Sequence, residues 1–494
     1  MHGSIFTALS ALFGTRTYPP QYPINDLAQS PAMGWNNWNA YACNVSETML
    51  LSTAAKVAAL GLRDSGYQYI VLDDCWSNGR DHNGELQPDR EKFPSGMKYV
   101  ADQLHSMGYL FGMYSDAGSY TCGKYAGSLG YEEKDAKTFA SWNVDYLKYD
   151  NCFNEGLSGT PKITAERYRV MKNALKATGR PILYSMCNWG EDLPWNWAHT
   201  VANSWRMSGD IYDYFNRPDA RCPCTGEETY CAYPGYHCSV MNILNKAAHI
   251  IHTSQPGAWN DLDMLEVGNG GMDDEEYKAH FSMWAALKSP LLLGNDVSVL
   301  DAKALSILTN PAIIAVSQDP LGVAASRMYR YYVNDTDQYG QGEIQLWSGP
   351  LSGGDQVVIL LNAGNISRTM KASLEEVFRQ QTGISPEVSN DWDIYDLWAN
   401  RMDLELAQSI IDGTGKPSPE VYYNATETSY KDGLAGGNPV LLGKLVGKVG
   451  AGGTIEREVA RHGVSMLRLR KTVGSAKLQS AVQQPFELSG TYTN

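Results

Sequence analysis

Between residues 31 and 318 one pattern recurs: a short apolar run ends in Asp, Asn or Gly, and a helical pattern follows. This alternation constrains the fold more than any other feature of the chain. YQYIVLDD (67–74) is the clearest strand. YLFGMYSD (109–116) follows the helical SGMKYVADQLHSMG, VDYLKYDN (144–151) follows DAKTFASWN, and PILYSMCNW (181–189) follows ITAERYRVMKNALKATG. SWRMSGD (204–210), AWNDLDML (258–265) and PLLLGND (290–296) continue the series, and AMGWNNWN (32–39) opens it. Strand-length apolar runs separated by helical periods predict βα units with a parallel sheet. Eight such units predict an α/β fold, a (β/α)8 TIM barrel.

The ends of these runs carry the chemistry. Asp73 and Asp74, Asp116, Asp150, Asp210, Asp261 and Asp263, and Asp296 all stand at or near a predicted strand end. In a barrel those ends converge on one mouth, where active sites are built. An Asp after a strand also caps the next helix, and that reading covers one or two of these acids. It does not cover the Lys148, Arg206 and Trp38 interleaved among them.

After Asp319-Pro320 the runs alternate instead: EIQLWS (343–348), QVVILLN (356–362) and VSMLRLR (464–470), with Gly-rich breaks and one helical stretch, KASLEEVFRQ. Period-2 alternation predicts a C-terminal antiparallel β-sandwich domain over 321–494, ending in a polar tail. The barrel is placed at 31–320, after an N-terminal segment, 1–30. A chain of 494 residues, 43% of them hydrophobic, is large enough for both cores. The segment MHGSIFTALSALFGT holds a short apolar run with small residues, like the remnant of a signal peptide, but lacks a basic start. Sequons at Asn44, Asn334, Asn365 and Asn424 are glycosylation acceptors if the chain is exported. A secreted, extracellular protein is therefore expected. No apolar run reaches the length of about 18 residues needed to span a membrane. The net charge of −14 argues against nucleic acid or an anionic membrane as partner, since both select basic surfaces. Nothing in the sequence speaks to oligomeric state.

Nine cysteines leave at least one thiol over if the rest pair. Cys222, Cys224, Cys231 and Cys238 crowd into RCPCTGEETYCAYPGYHC. A loop stapled by two disulfides fits this better than zinc, because C-x-C is not a usual zinc spacing and His237 adjoins Cys238.

Alternate strand residues share a face, so Lys148 and Asp150 point the same way. A cation beside a carboxylate lowers its pKa. Lys148 is thus expected to hold Asp150 ionised, the state a glycosidase nucleophile needs; a buried structural ion pair gives the same pattern. In SWRMSGD, Arg206, Ser208 and Asp210 share parity. Arg206 is expected to bind a substrate hydroxyl while Asp210 approaches the leaving oxygen, with a helix N-cap as the alternative for Asp210. Glycoside hydrolysis needs a group to attack and a group to protonate, which favours the pair. The tandem Asp73-Asp74 suits sugar hydroxyls. A divalent cation is the competing reading, but Lys148 and Arg206 would compete for the same charges, so no metal or cofactor is expected. Trp38 offers a ring for stacking on a sugar, or simply a core residue.

MGWNNWN, YIVLDDCW, FGMYSDAG, YSDAGSYTCG, DYLKYDNC, SWRMSGDI, WNDLDML and ALKSPLLLGND together resemble glycoside hydrolase family 27, the α-galactosidases. The resemblance covers about residues 31–320, with the β domain matching in position and character, and the clustered-cysteine insertion resembles that of fungal members. It implies a retaining, exo-acting hydrolase of terminal α-D-galactosyl residues in oligosaccharides and galactomannans, working without a metal. It implies Asp150 as nucleophile and Asp210 as acid/base. Asp73 and Asp74 would bind O4 and O6, and Arg206 would contact O2. Lys148, Tyr114 and Cys122 would line the pocket, Trp38 would stack on the ring, and Asp263 and Met264 would belong to the wall. Disulfides Cys43–Cys75 and Cys122–Cys152 are implied, with the clustered four pairing among themselves and Cys187 free. Cys187 and Trp189 would fill the space around O2 that α-N-acetylgalactosaminidases leave open, which favours plain galactose. Both acids of the tandem pair are kept, which favours galactose over the family's β-L-arabinopyranosidase branch. A non-catalytic sugar-binding relative would lack one of the two carboxylates, and both are present. One departure is Asn188, where relatives often carry Glu.

Overall fold

A ring of eight parallel strands encloses the core of the first domain. The computed structural model describes residues 24–217, 238–379 and 385–472. The ring is built from β1 (Met33–Asn36), β2 (Tyr69–Val71), β3 (Leu110–Asp116), β4 (Tyr146–Asp150), β5 (Leu183–Met186), β6 (Ser204–Arg206), β7 (Trp259–Asp261) and β8 (Leu291–Leu293). Neighbours run β8-β1-β2-β3-β4-β5-β6-β7. Leu265, just past β7, bridges to Leu293 and closes the ring. All eight strands match runs expected from the sequence, because parallel strands covered on both faces read as near-continuous apolar runs. Gly34 is required by the closeness of the strands: a Cβ there would stand 2.4 Å from the Tyr69 carbonyl oxygen.

Helices wrap the ring, among them α1 (Glu47–Ala59), α2 (Met97–Ser106), α3 (Glu132–Ser141), α4 (Pro161–Ala177), α5 (Val240–Ala247) and α6 (Asp274–Ala286). Their starts are written locally. Ser46 accepts from the Met49 amide, Thr160 from Ile163, and Asp273 makes a reciprocal box with Glu276.

The second domain sets β9 (Ser326–Tyr332), β10 (Glu343–Pro350), β11 (Gln356–Asn362), β12 (Arg368–Ser373), β13 (Trp392–Asp396), β14 (Lys444–Val449), β15 (Thr454–Val459) and β16 (Val464–Lys471) in two layers. A six-stranded antiparallel sheet, β9-β10-β11-β16-β13-β14, faces the β12-β15 pair. Val358, Leu360, Met370, Trp392, Ile455 and Leu467 fill the space between them. KASLEEVFRQ is not the helix its composition suggests. Lys371–Ser373 belong to β12, and only Leu374–Val377 coil, started by a Ser373–Glu376 box. A helical excursion that no sequence periodicity marks joins β13 to β14. It contains Leu404–Ile411, Tyr430–Ala435 and Pro439–Leu442. Tyr422 and Tyr430 tie it to the barrel, their hydroxyls donating to the carbonyls of Gly61 (2.6 Å) and Ser65 (3.0 Å).

Disulfides join Cys43 to Cys75 and Cys122 to Cys152, and Cys187 is free and buried. Cys238 is disulfide-bonded. Cys222, Cys224 and Cys231 lie outside the described residues, as do the possible signal remnant and the polar tail.

Candidate active site

The C-terminal ends of β2 and β4 bring one group of acids together, with Tyr114 of β3 beside them. Asp150 closes β4 and is 6% exposed. Its Oδ2 accepts from the Tyr114 hydroxyl at 2.9 Å, and its Oδ1 from the Asn151 amide at 3.0 Å. The β3–β4 register sets Tyr114 beside Lys148 and Asp116 beside Asp150. Burial raises the Asp150 pKa above the ordinary carboxylate range. Lys148 opposes that rise, the Asp210 charge adds to it, and the Tyr114 hydrogen bond opposes it.

Lys148 corrects one expectation. Its Nζ bonds Asp73 Oδ2 at 2.8 Å rather than Asp150. Strand parity gives the shared face, not the partner. The lysine still favours an ionised Asp150 through its charge, but burial outweighs it. Asp73 Oδ2 also accepts from Asn36 Nδ2 at 2.8 Å, and the Asp73 amide donates to Asn37 Oδ1 at 2.7 Å. Asp74 accepts from the backbone amides of Cys75 and Gly123, each at 2.7 Å, and from the Thr121 side chain. The disulfides fall where these acids need fixing: Cys75 follows Asp74, and Cys152 lies two residues past Asp150.

The second group hangs from β6 and β7. The strand ends at Arg206, so parity does not carry on to Asp210, which lies on the following loop. Arg206 holds that loop instead of simply standing beside the acid. Its Nη2 donates to Asp210 Oδ1 at 2.9 Å and pairs with Asp263 Oδ2 at 2.8 Å. Asp263 Oδ2 in turn accepts from the Ile211 amide at 2.8 Å. The side chain of Asp210 is 44% exposed, against 5% for Arg206. One carboxyl is thus buried and pinned, and the other is held at its base with its tip in solvent.

An inner pocket is lined by Asn36, Tyr146, Lys148, Cys187, Arg206, Asp261, Asp263 and Met264. Arg206 Nη1 lies 3.7 Å from Cys187 Sγ. Outside it opens a cleft of about 780 Å³ lined by Trp38, Asn39, Asp210, Tyr212, Asp213, Glu266, Asn269 and Asp296. Trp38 starts a single helical turn beyond β1, on this outer cleft. Trp189 is half-buried on the loop after β5, with φ 54°. Asp116 does not join the mouth. It is fully buried, and its oxygens accept from the amides of Gly118 and Cys152. Asp116, Cys122 and Cys152 are the one cluster of metal-ligand types among the described residues, and its two cysteines are bonded to each other.

Several site residues escaped sequence reasoning. Asn36 and Asn37 sat in view in GWNNWN, but only the structure shows their amides steering Asp73. Glu266 and Asp213 come from loops without periodicity. Glu266 is 3% exposed and accepts from Asn39 and Asn269, and burial pushes it up to about 8. Asp213 accepts from Tyr277 at 2.9 Å and from the Gly271 amide, and burial pushes it up to about 6.

The family model described as Alpha galactosidase A matches residues 30–319, and the Alpha galactosidase C-terminal beta sandwich domain matches 341–420. The chain belongs to the α-galactosidases, glycoside hydrolase family 27. An α-galactosidase of Lachancea cidri is 56% identical over 451 residues, 91% of this chain and 96% of that protein. Alpha-galactosidase 6 of Saccharomyces cerevisiae is 54% identical over 94% of this chain and 98% of its own length. Among solved structures, an α-galactosidase of Saccharomyces cerevisiae superposes with a TM-score of 0.89 at 54% identity. The match covers 91% of this chain and 99% of the other, and an α-galactosidase of the same yeast, with the same TM-score and identity, has been solved with raffinose. Both halves of the family 27 α-galactosidase architecture, barrel and sandwich, are therefore present here.

Proposed function

We propose that this α-galactosidase family member hydrolyses terminal non-reducing α-D-galactosyl residues of oligosaccharides and galactomannans by double displacement. The Asp150 carboxylate attacks the anomeric carbon while Asp210 gives its proton to the departing glycosidic oxygen. A galactosyl ester on Asp150 results. Water then attacks the same carbon, Asp210 takes its proton, and the ester bond breaks to free Asp150 and α-galactose. The observation that carries this reading is the contrast between the two acids. Asp150 is buried and pinned by Tyr114 and the Asn151 amide, whereas Asp210 is solvent-facing and tethered by Arg206.

The other roles follow from position. Asp73 and Asp74 stand at the β2 end for O4 and O6. Lys148 lines the pocket, Tyr114 joins it through its bond to Asp150, and Cys122, disulfide-bonded to Cys152, is assigned to the same side. Arg206, Asp263, Met264 and Cys187 line the inner pocket and are assigned the wall around O2, Trp189 on the adjoining loop joins them by the family resemblance, and Trp38 faces the outer cleft. Arg206 and Cys187 stand in contact there, Nη1 3.7 Å from Sγ, which supports plain galactose over an N-acetylated sugar. Relatives named α-galactosidase, one solved with raffinose, support the same substrate class. Export and glycosylation belong to the proposal too: Asn44, Asn334 and Asn365 are exposed and Asn424 is partly so. Among the described residues no helix is long and apolar enough to cross a membrane.

A proton NMR time course on an aryl α-galactoside tests the mechanism. The α anomer of galactose is expected first, with mutarotation following; β-galactose as the first product overturns the retaining assignment.

A further inference from the structure

Asn151 follows the proposed nucleophile, and its side chain is 2% exposed with both polar ends engaged. Oδ1 accepts from Arg167 of α4. Arg167 also donates to the carbonyls of Ala117 (3.0 Å) and Leu157 (2.9 Å). Beside it, the Tyr168 hydroxyl donates to the Asp150 carbonyl at 2.9 Å. On the other side, Asn151 Nδ2 donates to Glu191 Oε2 at 2.7 Å. The backbone amide of this same Asn151 donates to Asp150 Oδ1. The peptide unit that supports the nucleophile is therefore clamped between α4 and Glu191.

Glu191 reaches Asn151 from the loop after β5, which also carries Cys187 and Trp189. The loop's backbone is unusual: Trp189, Asp192 and Leu193 have φ of 54°, 56° and 56°. Side chains seldom adopt that region unless the surroundings over-determine it. Here they do. The Gly190 amide donates to the Arg206 carbonyl at 3.1 Å, and Asn188 Nδ2 to the Glu191 carbonyl at 2.7 Å. Asp192 Oδ2 accepts from the Gly159 amide (2.9 Å) and the Thr164 hydroxyl (2.6 Å). Asn188, the departure noted in the sequence, thus serves to aim the next carboxylate along the loop.

We infer that Glu191 is a positioning residue that couples the O2 wall to the nucleophile: by fixing the Asn151 amide side chain it fixes the backbone N–H on Asp150 Oδ1. The inference rests on Asp150 being the nucleophile. It requires reach and an acceptor oxygen at position 191, not charge.

Glu191→Gln keeps reach and acceptor and loses the charge; Glu191→Asp keeps the charge and loses reach; Glu191→Ala loses both. A small misplacement of a reacting group costs roughly tenfold to a hundredfold in rate. On an aryl α-galactoside, Glu191→Asp and Glu191→Ala are expected to lower kcat about tenfold with KM changed less than about twofold. Glu191→Gln is expected to keep at least about half of kcat. Glu191→Ala added to Asn151→Ala is expected to cost nothing further, as for two residues acting through one contact. Melting curves confirm that each variant is folded, and the Gln–Asp pair suffices if Glu191→Ala is not. Wild-type kcat in Glu191→Asp, equal impairment of Gln and Asp, or an additive double mutant each overturns the inference. Asp150→Asn, assayed alongside, tests the underlying assignment separately: substantial turnover by it removes the nucleophile, whatever the Glu191 series shows.

Discussion

The β-sandwich and the barrel mouth both bury carboxylates, and they balance them differently. In the sandwich each acid is matched. Asp355, 6% exposed, accepts from Arg468 Nη1 at 3.0 Å and Arg470 Nε at 3.1 Å. Glu343, 4% exposed, accepts from Arg330 at 2.7 Å and Asn245 at 3.2 Å. In the mouth, Asp73, Asp74, Asp150, Asp210, Asp261 and Asp263 gather around two cations, Lys148 and Arg206. Burial there wins over the partners: Asp74, Asp150 and Asp263 titrate above the ordinary range and Asp261 is pushed up to about 6. A surplus of buried acid is costly unless a ligand takes up its acceptors. The imbalance therefore marks the site as clearly as any motif does.

Paired substitutions give the largest test of that contrast. Asp150→Asn is expected to lower kcat by about 10⁴-fold or more while melting at or above the wild-type temperature, because it removes a buried charge from a crowded cluster. Asp355→Ala is expected to destabilise the protein by about 3 kcal/mol, since it leaves the buried Arg468 without its hydrogen-bonded carboxylate, while the folded fraction keeps wild-type kcat. Denaturant unfolding and steady-state kinetics on both variants check this. A loss of stability in Asp150→Asn as large as that in Asp355→Ala would erase the distinction.

A smaller effect concerns pH. Asp261 sits at about 6 and Glu266 at about 8, against about 4 for free carboxyls. Folded values above unfolded ones contribute stability that is full below about pH 4 and is lost as pH rises through 6 to 8. The melting temperature is therefore expected to fall by roughly 5 °C between pH 5 and pH 8.5. Scanning calorimetry at those two pH values reads it directly, and a melting temperature that rises over the interval contradicts the account.

The sequence made the barrel legible because each strand is an apolar run with a polar stop, and all eight runs recur in the ring. It made Asp150 legible through the chemistry of LKYDNC. It did not reveal that Lys148 bonds Asp73, because parity reports a face and the partner depends on the neighbouring strand. It did not reveal how Asp210 is held, because the chain leaves β6 at Arg206 and Asp263 reaches in from beyond β7. In KASLEEVFRQ, pairing of β12 with β15 overrides the local helical preference across Lys371–Ser373. The excursion between β13 and β14 shows its purpose only in contact with the barrel, at Gly61 and Ser65. Glu191 was invisible for the same reason: it matters through Asn151, which is distant in sequence and adjacent in space.

Double displacement requires that Asp150 form the covalent bond. A fluorinated galactosyl donor whose glycosyl-enzyme hydrolyses slowly, followed by proteolysis and mass spectrometry, tests it most directly. One fluorogalactosyl adduct is expected, on the peptide containing Asp150, and none in Asp150→Asn. An adduct on the peptide containing Asp210 or on that containing Asp73 and Asp74 would contradict it.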